Sequence, residues 1–182
     1  MAKENYTKYV LLGLITTNCR SGYAIKQIID NSISHFWKIS YGQIYPNLKK
    51  LVDDGLAVVE DTSQEGKPDK KEYFITDAGR EELQRWLQQP IEEIPTVKNE
   101  LLLKLYFSRH QPTEIAIEQV RFYQVELASR LKTYEQIERV IQNTGEGTED
   151  AMYWLITLDY GLRTTRAMVE WCEDTIKKLR EK

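Results

Sequence analysis

Histidine and cysteine are nearly absent from this chain. His35 and His110 are the only histidines among 182 residues, and neither has partners at metal-ligand or catalytic spacing. The two cysteines, Cys19 and Cys172, are far apart and lack CxxC spacing. That argues against a disulfide framework and a cysteine-rich zinc site, and suits reduced thiols in a cytoplasm. No G-x-S-x-G and no phosphate-binding loop occurs. The glutamate pairs at 81–82 and 92–93 read as solvated faces. Enzyme activity, a bound metal and a cofactor are therefore not expected. Long apolar runs are missing too. The run "YVLLGLI" near the start is too short for a signal peptide or a membrane span. A soluble cytoplasmic protein is expected. Excess positive charge is also lacking: 25 basic against 28 acidic residues give −3. A chain coated in positive charge is excluded, but a local basic patch is not.

Apolar residues at 41% and aromatics at 10% fit a core-forming globular protein. "YTKYVLLGLITTN" sets Val10, Leu11, Leu14 and Ile15 on one helical face. "SGYAIKQIIDNSI" offers Ser21 as N-cap and turns Ile25, Ile28 and Ile29 inward. A third helix spans Ser40–Asp54, stopped by Gly55. "LAVVEDT" and "KEYFIT" read as strands around the turn-rich "SQEGKPDK". Thr76 caps an amphipathic helix carrying Leu83, Trp86 and Leu87. The order predicts a winged helix-turn-helix over 1–90. Pro90 and Pro95 mark the boundary, and 91–182 is expected to be all-helical: a short helix from 97, a long one over 111–143, an interruption at "TGEG", and a last one from Thr148 to about Leu179.

The third helix has a proline at its sixth position after Ser40. On a helical wheel Ile44, Leu48, Leu51 and Val52 group together, while Gly42, Gln43, Pro46, Lys49 and Lys50 fall opposite. Pro46 thus faces outward, and the carbonyl it orphans belongs to Gly42, near the helix start, where water or a ligand can meet it. Residues 38–50 hold Lys38, Lys49 and Lys50 and no acid. Gln43 can read an adenine edge, and Lys49 or Lys50 can meet phosphate or guanine. Lys67, Lys70 and Lys71, against Asp69, suit a wing lying along a phosphate backbone. Pattern alone leaves two other readings open: an ordinary solvated face, and a winged-helix module that binds protein instead of DNA.

"SGYAIKQII", "GQIYPNLKKLVDDGL" and "KKEYFITDAGREELQRWL" together resemble the PadR family of bacterial transcriptional regulators over residues 9–89. The helical remainder, with "MVEWCED", is more loosely similar to the C-terminal domain of its longer members. The resemblance implies a homodimeric repressor that binds double-stranded operator DNA and is released by a small molecule. Carried onto this sequence, it singles out Ser40, Gln43, Tyr45, Pro46 and Lys49 on a helix entering the major groove.

The last helix carries Ala151, Leu155, Leu158, Leu162, Thr165, Val169, Cys172, Ile176 and Leu179 in alternating steps of four and three. This heptad seam is expected to dimerise the chain. The alternative is that it packs within its own subunit, against the 113–143 helix. A second face presents Trp154, Gly161, Met168 and Trp171, with Arg163 and Arg166 nearby. Aromatic walls beside arginines suit a flat aromatic effector with a carboxylate, against the plainer alternative that these aromatics are core.

Overall fold

The computed structural model describes residues 5–17, 19–62, 70–94, 96–144 and 149–181. They fall into two compact units, Met1–Ile94 and Pro95–Lys182.

In the first unit, helices α1 (Tyr6–Thr16), α2 (Gly22–Asn31) and α3 (Tyr41–Asp53) precede strands β1 (Ala57–Thr62) and β2 (Lys70–Ile75) and helix α4 (Asp77–Leu87). α1 lies at the centre, with α2, α3, α4 and β2 all packed against it. It is therefore apolar on more than one side. Leu12 is fully buried beside Leu11, Leu14 and Ile15, whereas Val10 is only half-buried. A single-face reading of this helix put Val10 inside and left Leu12 out. Enclosed by four neighbours, α1 keeps only a half-buried strip through Tyr9, Val10 and Gly13, which is too apolar in sequence to set that phase.

α2 starts where Ser21 Oγ accepts the Ala24 amide at 3.2 Å. It buries Ile25 and Ile29. α3 ends in a Schellman arrangement. The Leu56 amide donates to the Leu51 carbonyl at 2.8 Å and Gly55 to Val52 at 3.0 Å. Gly55 supplies the left-handed residue this closure needs, at φ 71°.

The strands pair antiparallel, Ala57 opposite Ile75 through Thr62 opposite Lys70. The segment before α2 joins them: Ser21 bridges to Glu72, and the Tyr73 amide donates to the Arg20 carbonyl at 2.8 Å. α4 is fixed at its start by Thr76. Its Oγ1 donates to the Gly55 carbonyl at 2.8 Å and accepts the Gly79 amide at 3.1 Å. A β-carbon on Gly79 would lie 2.1 Å from the Leu56 carbonyl oxygen, so only glycine allows this approach.

The second unit contains α5 (Glu100–Tyr106), α6 (Thr113–Thr144) and α7 (Glu149–Arg180). The last two are 32 residues each, about 48 Å at ~1.5 Å per residue. They form an antiparallel hairpin: Tyr123 Oη donates to Met168 Sδ at 3.9 Å, Gln124 Nε2 donates to Glu173 at 3.3 Å, and the Tyr134 ring lies against Gly161. Leu101, Val120, Leu127, Cys172 and Ile176 form the core, with Val169 and Met168 packed against it. No helix among the described residues is long and apolar enough to cross a membrane.

Candidate nucleic-acid interface

α3 divides cleanly into two faces. Ile44, Leu48 and Leu51 are at most 1% exposed, while Gly42, Gln43, Tyr45, Pro46, Lys49 and Lys50 are all exposed. Ser40, just ahead of the helix, is exposed as well and makes no side-chain cap. Pro46 sits inside a continuous helix on its outer side. A β-carbon on Gly42 would meet only Ser40 Oγ, at 3.9 Å, so the region above the orphaned carbonyl is open. Asn47 Nδ2 donates to the Gln43 carbonyl at 2.7 Å, giving the same weakened turn a side-chain hydrogen bond.

The charges are less one-sided than residues 38–50 suggest. Lys49 Nζ lies 2.8 Å from Asp53 Oδ2, one turn on, and that carboxylate holds the lysine above its ordinary pKa. A pair this exposed is largely screened by water and contributes little, so a phosphate can replace Asp53 as partner. Lys50 lines a cleft of about 210 Å³ between α1 and α3, with Lys8, Asn5 and Asn47. Across the hairpin, Lys71 is exposed but directly opposite Asp61, and Glu60 is opposite Glu72. From Ala57 to Ile75 the hairpin carries three lysines and five acids, so its base is not a basic surface. The Lys70 backbone pairs with Thr62; its side chain and Lys67 lie outside the described residues.

Three groups in this unit were not picked out by sequence. Arg20 lies 4.7 Å over the Phe74 ring and Lys26 lies 4.4 Å over the Tyr41 ring. Tyr41 itself, 53% exposed at the first turn of α3, donates its hydroxyl to Asp30, which pushes the phenol pKa up. The outward phase of α2 carries Tyr23, Lys26 and Gln27 and could have drawn notice to Lys26. A single arginine in a loop has no periodicity to reveal it.

In the helical unit the seam corrects its expected role. Leu162, Thr165, Cys172 and Ile176 are buried within one chain, and Leu155, Leu158 and Val169 are half-buried on the same line. Their cover is α6. A 3.5-residue period reports that a stripe is buried, not which helix buries it. Leu162, Cys172 and Ile176 are thus intrachain core. Exposed apolar residues lie elsewhere on α7: Met152, Tyr153, Ile156 and Tyr160.

The aromatic face is divided. Met168 is half-buried against the core and Gly161 is filled by Tyr134, so neither lines an open wall. Trp154 and Trp171 keep 46% and 36% exposure. Arg163 is paired with Asp159 at 2.7 Å, and Arg166 lies 3.8 Å from Glu135. His35 and His110 fall in different units, and no cluster of three metal-binding side chains occurs among the described residues.

Comparison with known proteins matches both units. A family described as "Transcriptional regulator PadR-like family" matches residues 11–85, and one described as "Virulence activator alpha C-term" matches residues 97–180. The negative transcriptional regulator PadR of Bacillus subtilis is 34% identical over 175 residues, spanning 93% of this chain and 94% of its own. The crystal structure of that PadR in complex with operator DNA superposes with a TM-score of 0.85 at 30% identity, over 96% of this chain and 99% of the other. The structure of the same protein in complex with p-coumaric acid gives 0.78 at 28% identity, over 97% and 99%.

Proposed function

This chain belongs to the PadR-like family of transcriptional regulators, and we propose that it is a homodimeric repressor whose α3 enters the major groove of an operator. The observation that carries the proposal is the two-faced α3. Three apolar side chains anchor it in the core, and Gln43, Tyr45, Pro46 and Lys49 stand outward on a rigid helix. Ser40 and Lys50 flank that face. Gln43 has the donor and acceptor pair that matches adenine N7 and N6. Lys49 exchanges Asp53 for phosphate. Pro46 fits because the helix side it weakens is the side that meets DNA rather than the core. The wing lysines Lys67, Lys70 and Lys71 add phosphate contacts of smaller weight, given the acids on the paired strands.

Dimerisation is assigned to the outer face of α7, through Met152, Tyr153, Ile156 and Tyr160 with Leu155 and Leu158 at its margin, together with the exposed Leu102, Leu103 and Tyr106 of α5 and Phe107 just after it. A two-fold dimer would set two copies of α3 about 34 Å apart on a palindromic site. The effector is a small aromatic acid, in line with the p-coumaric acid bound by the Bacillus subtilis relative. Trp154 and Trp171 are two exposed aromatics available to it, and Arg163 or Arg166 its carboxylate partners. The repressor acts in the cytoplasm and carries no catalytic activity.

The test is titration of the chain against DNA from upstream of its own gene over a range of salt. Affinity for one palindromic segment, falling steeply with salt and relieved by phenolic acids, is expected. Equal, weak binding to every duplex would favour the protein-binding reading.

A further inference from the structure

The two exposed tyrosines of α3, Tyr41 and Tyr45, are one turn apart, and each is held by a different device on α2. A β-carbon at Gly22 would lie 2.6 Å from Tyr45 Cε1, 3.0 Å from Cζ and 3.1 Å from Oη. The ring of Tyr45 occupies the place of the missing side chain. Gly22 is not needed for backbone reasons, because the only positive-φ glycine among the described residues is Gly55. In its first-turn position alanine would serve the helix better. The contact with Tyr45 is what glycine permits there. Tyr45 stays 58% exposed, so its ring has room to swing away if that seat is filled. Tyr41 is fixed differently. Its hydroxyl donates to Asp30, and the Lys26 ammonium lies 4.4 Å from its ring.

We propose that α2 is a template that presets the two tyrosines of α3 for the operator: Gly22 seats Tyr45, and Asp30 with Lys26 seats Tyr41. The inference rests on α3 being the recognition helix. Gly22 and Asp30 are positioning residues that touch no DNA themselves. A phenol held in place loses little rotamer freedom when its hydroxyl donates to a phosphate or its ring packs on a sugar. Freed, it pays that ordering cost at the moment of binding. Asp30 is otherwise hard to account for, since a carboxylate beside the DNA-facing surface repels the polyanion.

The experiment measures the affinity of the full-length chain for a duplex carrying its own upstream sequence, together with thermal unfolding, for Gly22→Ala, Tyr45→Ala, the double variant and Asp30→Ala. Tyr45→Ala should weaken binding about tenfold, the size of one hydrogen bond to a charged oxygen. Gly22→Ala should weaken it by a similar factor with an unfolding temperature unchanged or higher, because only a mobile ring has to move. The double variant should bind no more weakly than Tyr45→Ala alone. Gly22→Ala binding like the native chain, or losses that multiply in the double variant, would overturn the inference. If Tyr45→Ala itself has no effect, the assignment of α3 fails with it; if only Gly22→Ala has none, the assignment of α3 stands and the template does not. Should Gly22→Ala fail to fold, Asp30→Ala decides. Removal of its charge alone strengthens DNA binding, so weaker binding supports the template, and equal or stronger binding overturns it.

Discussion

The winged unit closes around its own centre, and the helical unit does not. Among the described residues, eleven buried side chains from α1, α2, α3, β1 and β2 make one cluster in the first, against five in the second. Short elements crossing a central helix bury it on several sides. Two 32-residue helices laid side by side can each hide only one stripe. The remainder stays in water: Phe122 and Val125 on α6 are 70% and 64% exposed, and Ile156 and Tyr160 on α7 are 60% and 71%. The difference teaches a division of labour. The first unit has a complete core and offers a polar, basic helix face. The second has a partial core and offers apolar surface, which is what association with a second copy requires.

The contrast breaks most visibly at α7. Replacing Ile156 and Tyr160 together with lysine should weaken self-association roughly a thousandfold, read by sedimentation, and leave the helix content near native. An unchanged dimer would move the interface off this face. Core truncation in the winged unit comes next. Leu48 is fully buried, so Leu48→Ala should lower the unfolding free energy by about 2–5 kcal/mol at any protein concentration. For the native chain, by contrast, the unfolding temperature of the helical unit should rise with protein concentration. Gly79→Ala meets backbone rather than a mobile side chain and should cost about 1–3 kcal/mol in chemical denaturation. A neutral result would mean α4 can shift away from Leu56.

The smallest effect is electrostatic. Glu82 on α4 accepts Lys8 Nζ at 2.6 Å and Tyr9 Oη at 3.3 Å, and is also paired with Arg85. The Lys8 hydrogen bond is the main cause that holds its carboxyl below the ordinary glutamate range. Because the folded pKa is the lower one, the stabilisation is present above the unfolded value, near 4.5, and fades as pH falls through the folded value. Lys8→Met should therefore unfold a few degrees below the native chain at neutral pH and alongside it once the pH has fallen below the folded value. A gap that persists in acid would assign the effect to the Lys8 ammonium over the Tyr9 ring, 5.2 Å from its centroid.

Periodicity made the architecture legible wherever an element has one wet face. α3 reads correctly down to the outward Pro46, because Ile44, Leu48 and Leu51 repeat against polar neighbours. It failed at Leu12, because the least buried strip of α1, through Tyr9, Val10 and Gly13, is itself largely apolar. At the α7 seam the stripe was read correctly and its partner was not, since Leu162 and Cys172 would look the same under α6 or under a second chain. Gly22 and Gly79 carry no local pattern at all. Their meaning lies in Tyr45 and Leu56, brought close only by the fold. The Lys49–Asp53 pair is legible from its spacing of four, but only when the charge of the helix is read past residue 50.

Operator recognition rests on the outward face of α3. The measurement is the operator affinity of Gln43→Ala combined with Lys49→Ala, in a protein verified as folded and dimeric, at several salt concentrations. A loss of about a hundredfold at physiological salt is predicted, with the slope of log affinity against log salt reduced by about 1 for each phosphate contact removed from the complex. Operator affinity and salt slope equal to those of the native chain would contradict it.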